Sequence, residues 1–138
     1  IAVASSRHEA FVRGLGADEF IDYTRTPAEE VVRDLDLVVD TLGGPSTGRF
    51  LRTLKRGGAL FPVFLGFSDH EEAARLGVTV STTQVRSNGA QLAELARLFD
   101  AGSLRVGIDS TFPLQDASKA HSRAAEGHIQ GKIVLTVS

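Results

Sequence analysis

Cysteine is absent, which removes disulfides, thiolate metal sites and cysteine nucleophiles from the chemistry this chain can offer. Methionine and tryptophan are absent as well, and there is a single tyrosine. A translation product starts with methionine, so the sequence reads as trimmed or as part of something longer. No apolar run approaches the roughly 20 residues of a membrane helix. No secretory signal is visible. The expectation is therefore no membrane partner and a cytoplasmic protein. Neither sign of charge dominates: 17 acidic residues face 15 Lys and Arg, for a net charge of −2. Without a basic stripe, nucleic acid is not expected as a partner. There is no G-x-S-x-G, no His pair at ligand spacing and no glycosidase-like carboxylate pair, so nothing points to hydrolysis.

What is present suits one ordinary soluble domain. The chain has 138 residues, 42% apolar and 23% charged. Ile1–Ala4 is a short apolar run, as in a parallel strand covered on both faces. Ser6-Arg7-His8-Glu9 fits a capping box and predicts a helix to about Leu15, ended by Gly14 and Gly16. Phe20-Ile21 reads as a short strand. Pro27 and the acids after it predict a helix start. "LDLVVDTLGG" is the clearest strand, closed by Gly43-Gly44-Pro45. A helix is expected next, with Phe50, Leu51 and Leu54 on one face and Gly57-Gly58 at its end. "ALFPVFL" follows as a strand, although Pro62 cannot donate to a ladder.

A short polar helix at 69–76 leads to the β-branched "VTVSTTQV". Asn88 caps an amphipathic helix carrying Leu92, Leu95, Ala96 and Phe99, with Gly102 at its end. "RVGIDSTFPL" is extended, "QDASKAHSRAAEG" helical and "GKIVLTV" a last strand. Strand and helix alternate, which predicts an α/β fold with a mostly parallel sheet. In such folds ligands sit at the carboxyl ends of the strands. Those ends are Ser5-Ser6-Arg7, Tyr23, Thr41-Leu42-Gly43 and Val63-Phe64-Leu65-Gly66.

Read together, these stretches carry a resemblance. "ASSRHEAFVRGLGADEFIDY" resembles the second βα unit of the medium-chain dehydrogenase/reductase superfamily, most closely its NADPH quinone-oxidoreductase branch. "DLVVDTLGG" and "LKRGGAL" resemble the following strand and turn. "FPLQDASKAHSRAAEGHIQGKIVLTV" is similar to the C-terminal signature. The resemblance implies a Rossmann-like doubly wound parallel sheet lacking its first strand, glycine-rich loop and first helix. It divides the chain into a partial dinucleotide-binding domain at 1–102 and a C-terminal segment at 103–138, which in the family returns to the catalytic domain. It implies NADP (NADPH) as cofactor, a quinone or α,β-unsaturated carbonyl as small-molecule substrate, and a homodimer joined near Val78–Val85. With the usual strand order 3-2-1-4-5-6, the missing strand is central. Ile1–Ala4 and Leu37–Val39 would then flank an empty slot, and the chain would not fold alone as a standard monomer.

The resemblance also assigns candidate cofactor residues. Ser5, Ser6 and Arg7 would take the 2′-phosphate, since the first strand ends without the Asp or Glu of NAD-specific domains. A helix cap with an exposed arginine is the plain alternative. Tyr23 would stack near or bond that phosphate. Thr41, Leu42 and Gly43 would pack the adenosine side. Val63, Phe64 and Leu65 would lie by the nicotinamide carboxamide through backbone groups. Lys132 would lie near the nicotinamide half. Asp40, in an otherwise apolar strand, needs a backbone or hydroxyl partner such as Thr41. No catalytic residue and no metal ligand is assigned within this chain. Two alternatives stand beside this reading: a zinc-type alcohol dehydrogenase fragment, and a non-catalytic nucleotide-binding or interaction domain.

Overall fold

In the computed structural model, which describes residues 1–63, 66–81 and 85–137, the chain forms two units, Ile1–Ser87 and Asn88–Ser138. In the first unit β1 (Ala2–Ala4) passes through a 3-10 turn (Ser6–His8) into α1 (Glu9–Gly14). The capping box does not form. The tight turn delays the helix start to Glu9, and the Glu9 carboxylate instead accepts from Arg13 Nε at 2.8 Å. β2 (Phe20–Asp22) runs parallel to β1, with Ala4 opposite Asp22. α2 (Ala28–Val31) is one turn, started by Pro27 and carrying Glu29 and Glu30 where a helix dipole favours acids.

β3 (Leu35–Asp40), β4 (Leu54–Pro62) and β5 (Thr79–Val80) form a second parallel sheet in the order β3-β4-β5. The helix expected around Phe50–Leu54 is a 3-10 run, Thr47–Thr53, and Gly57-Gly58 lies inside β4 rather than at a helix end. The register explains this. Leu54 pairs with Leu35 and Ala59 with Leu37, so the chain between them bulges out of the ladder. Gly57 takes a φ of +85°, open to glycine at no steric cost. A β-carbon on Gly58 would press against the Leu35 carbonyl oxygen at 3.0 Å. Pro62 fits because it is the last residue of its strand. The ladder bond beyond it comes from Val63, whose amide donates to the Asp40 carbonyl at 2.8 Å.

α3 (His70–Leu76) stops at Gly77, in the left-handed conformation, and β5 follows at once. Leu51, Leu54, Leu60, Phe67, Ala73 and Val78 make the core between the second sheet, the 3-10 run and α3. Burying each leucine there contributes about 1.5–3 kcal/mol. Among the described residues β1 pairs with β2 alone and β3 with β4 alone, so both keep an open edge.

The second unit begins with α4 (Gly89–Asp100), capped by Asn88, whose side-chain oxygen accepts from the Gln91 amide at 3.1 Å. Its apolar stripe is there, but no residue of α4 is buried, and Leu92 is 68% exposed. β6 (Ile108–Pro113) and β7 (Lys132–Thr136) pair in parallel, with α5 (Ala117–Ala125) between them in sequence. Ala120 is the buried residue of α5. Arg123 forks onto Asp109 at 3.0 and 2.7 Å, tying α5 to β6.

Candidate functional site

The carboxyl ends of β1 and β2 meet at the serine turn. The Tyr23 amide donates to the Ala4 carbonyl at 3.2 Å, which carries the pairing one step past Asp22. Ser5 is extended, and its carbonyl accepts from the His8 amide at 2.9 Å, closing the turn. The Ser5 side chain is half-buried, whereas Arg7 is exposed and has no ion pair among the described residues. This turn carries two hydroxyls, that of Ser6 beside Asp22, and an unpaired arginine at the end of a strand whose Val3 is exposed. The acid at its end, Glu9, is paired with Arg13.

An acid approaches from β2. Asp22 Oδ1 accepts the Thr24 amide at 3.0 Å and the Thr24 hydroxyl at 2.7 Å. The Thr24 hydroxyl is the strongest influence on its acidity. Together with the Thr24 amide and the Ser6 hydroxyl and amide, it outweighs burial and holds the carboxyl below its usual range. Ser6, Asp22, Arg25 and Thr26 share the wall of a cavity of about 370 Å³. Asp22 and Arg25 are functional candidates that motif reading missed. Their signal was spacing: both lie within two residues of Tyr23.

At the end of β3 the backbone turns around Asp40. Its carboxylate accepts from the Leu42 amide at 3.1 Å, the Gly43 amide at 3.0 Å and the Thr47 hydroxyl at 2.7 Å. The hydroxyl partner is Thr47, one loop later, and not Thr41 as expected, because the loop folds back onto the strand end. Burial pushes the Asp40 pKa up, but the Gly43 amide, the Thr47 hydroxyl, the Leu42 amide and Arg49 together bring it below the usual value. Gly43 has a φ of +65°, so the turn that brings these amides back to Asp40 suits glycine.

Tyr23, Thr41 and Leu42 face one cavity of about 470 Å³, which also touches Ile1 and Val3 of the β1 end and Val39 of β3. The structure thus brings Tyr23 together with the β3 turn and leaves Ser6 on the other cavity. Ser5, Arg7, Gly43 and Val63 line neither. Val63 is exposed at the end of β4, while Phe64 and Leu65 lie outside the described residues. Lys132 opens β7 in the second unit, its amide donating to the Gly107 carbonyl at 2.9 Å and its side chain exposed. Among the described residues no three His, Asp or Glu side chains gather closely enough to hold a metal ion.

The zinc-binding dehydrogenase family model matches residues 15–135. The chain belongs to that family. It falls in the quinone-oxidoreductase-like branch of the medium-chain dehydrogenase/reductase superfamily, as its motifs suggest. It is 33% identical over 164 residues to the mouse (Mus musculus) protein named NAD(P)H oxidoreductase RTN4IP1, mitochondrial, covering 99% of this chain and 41% of that one. It is 31% identical over 144 residues to quinone-oxidoreductase QR1, chloroplastic, of Triphysaria versicolor, covering 97% and 44%. The quinone oxidoreductase structure from Coxiella burnetii superposes with a TM-score of 0.86 at 28% identity, covering 99% of this chain and 44% of that one. The fold is accordingly the Rossmann-like parallel α/β fold of the family's cofactor domain. The chain spans less than half the length of these relatives.

The cytoplasmic address expected from the sequence does not stand. The mouse, zebrafish and human relatives all carry the mitochondrial name. The expectation rested on a missing signal, and an absence of that kind says nothing about address.

Proposed function

We propose that the protein is an NADPH-dependent oxidoreductase of the quinone-reductase type, and that this chain supplies residues to both halves of its cofactor site. The observation that carries this is the turn after β1. Ser5, Ser6 and Arg7, which has no ion pair among the described residues, follow one another at a strand end that lacks the acid of NAD-specific sites. A phosphate monoester is matched by that donor set, with Arg7 able to offer two parallel N–H bonds. Tyr23 would close the same end from β2, and Thr41, Leu42 and Gly43 would border the adenosine. Val63, Phe64, Leu65 and Lys132 are assigned to the nicotinamide half.

The nicotinamide supplies the hydride, which goes to a quinone or an α,β-unsaturated carbonyl. The work of this chain is to bind and orient. The Asp40 turn is fixed by three hydrogen bonds, so the Leu42 and Gly43 backbone is set before a ligand arrives. In this reading the protein is a homodimer joined along the edge that starts at Val78 and β5. Thr82, Thr83 and Gln84 of that edge lie outside the described residues.

Fluorescence titration of the whole encoded protein with NADPH and with NADH tests the proposal. Tighter binding of NADPH is expected. No binding of either cofactor would return the fold to the non-catalytic alternative.

A further inference from the structure

The donors of the serine turn are not all free for a ligand. Asp22 sits opposite Ala4 in the β1–β2 pair, one residue from the turn, and its carboxylate is pinned by two bonds from Thr24. It shares a cavity wall with Ser6. A pinned carboxylate cannot swing away when an anion arrives. Thr24 is bonded to Asp22 and offers no charge to offset it. The nearby cation on that wall is Arg25, which is exposed and makes no ion pair with Asp22.

We propose that Asp22 sets the cofactor preference of this site: its fixed negative charge beside Ser6 opposes the 2′-phosphate and narrows the advantage of NADPH over NADH. The proposal rests on the reading of the turn as the 2′-phosphate site. Asp22 differs in place from the acid of NAD-specific domains, which ends the strand before the turn and bonds the ribose hydroxyls directly. Here the acid comes from the neighbouring strand and acts through Ser6 and through its charge. It is a positioning residue and does not need to touch the cofactor. Its ionised state is secured by the Thr24 and Ser6 donors that hold its acidity high.

The test is the ratio of NADPH to NADH dissociation constants, measured by titration of the whole encoded protein and of three variants. Asp22→Asn keeps an oxygen for Thr24 and Ser6 and removes the charge. It should tighten NADPH by about tenfold, the worth of roughly one charged hydrogen bond, and leave NADH unchanged. Asp22→Ser is the second neutral variant, should asparagine disturb the turn, and should move the ratio the same way. Loss of folded protein lowers both affinities alike, so the ratio isolates the charge. An unchanged ratio in both Asp22 variants overturns the inference. The third variant, Arg7→Ala, tests the reading beneath it. That variant should weaken NADPH selectively, and an unchanged ratio there overturns the 2′-phosphate assignment itself.

Discussion

Thr47 donates its hydroxyl to Asp40 at 2.7 Å across a six-residue loop, and both side chains are out of water. Their bond fastens the end of β3 to the 3-10 run that covers the core. Thr47→Val would leave one carboxylate oxygen buried without a donor. The expected cost is about 1–3 kcal/mol, read as a lower midpoint in urea unfolding.

The same carboxylate gives the fold an acid limit. The folded-state pKa of Asp40 is depressed, so its contribution is complete above the unfolded value of about 3.9 and is lost as the pH falls through the folded value. Urea midpoints measured from pH 6 down to pH 3 should fall more steeply in the parent protein than in Asp40→Asn, which has no proton to take up.

The two serines of the turn should not be equivalent. Ser6 is engaged with Asp22, while the Ser5 hydroxyl has no hydrogen-bond partner among the described residues. Ser5→Ala should weaken NADPH binding by about 0.5–1.5 kcal/mol, and Ser6→Ala should weaken it less. Parallel NADPH titrations of the two variants check the order.

Gly131 precedes β7 with a φ of +97°, and a β-carbon there would overlap the Gly107 backbone. The next amide, from Lys132, bonds that same Gly107 carbonyl. Gly131→Ala must therefore both strain its own backbone and part β7 from β6. A loss of at least about 1–3 kcal/mol is expected in thermal unfolding.

Asn88→Ala removes the acceptor that holds the Gln91 amide at the start of α4. The cost should be about 1 kcal/mol. Because α4 has no buried face, amide hydrogen exchange along its first turn is the sensitive measurement.

Much of the fold was legible because its signals were local. Leu35–Asp40 announced itself by β-branched residues, α4 by its cap and spacing, and the break at Pro27 by proline geometry. The failures were at places where pairing overrides propensity. Phe50, Leu51 and Leu54 have helical spacing, yet Leu54 pairs with Leu35 and joins the sheet. Ser6 and Glu9 fit a capping box, yet Asp22 and Arg13 compete for them. The need of Asp40 for a partner was readable from its apolar neighbours, but the choice of Thr47 required the loop to fold back. Asp22 and Arg25 lie within two residues of Tyr23, but their place beside the serine turn comes from the β1–β2 register, which only the folded pair displays.

The open edges of β1 and β3 have one more consequence. Each is a row of amides and carbonyls that no other strand among the described residues pairs with. Exposed valine and leucine side chains, Val3, Leu37 and Val39, stand beside those rows. A bare strand edge is a template, and it does not discriminate between a rightful neighbour and another copy of itself. Left uncovered at high concentration, such edges would favour the stacking of one copy of the chain on another.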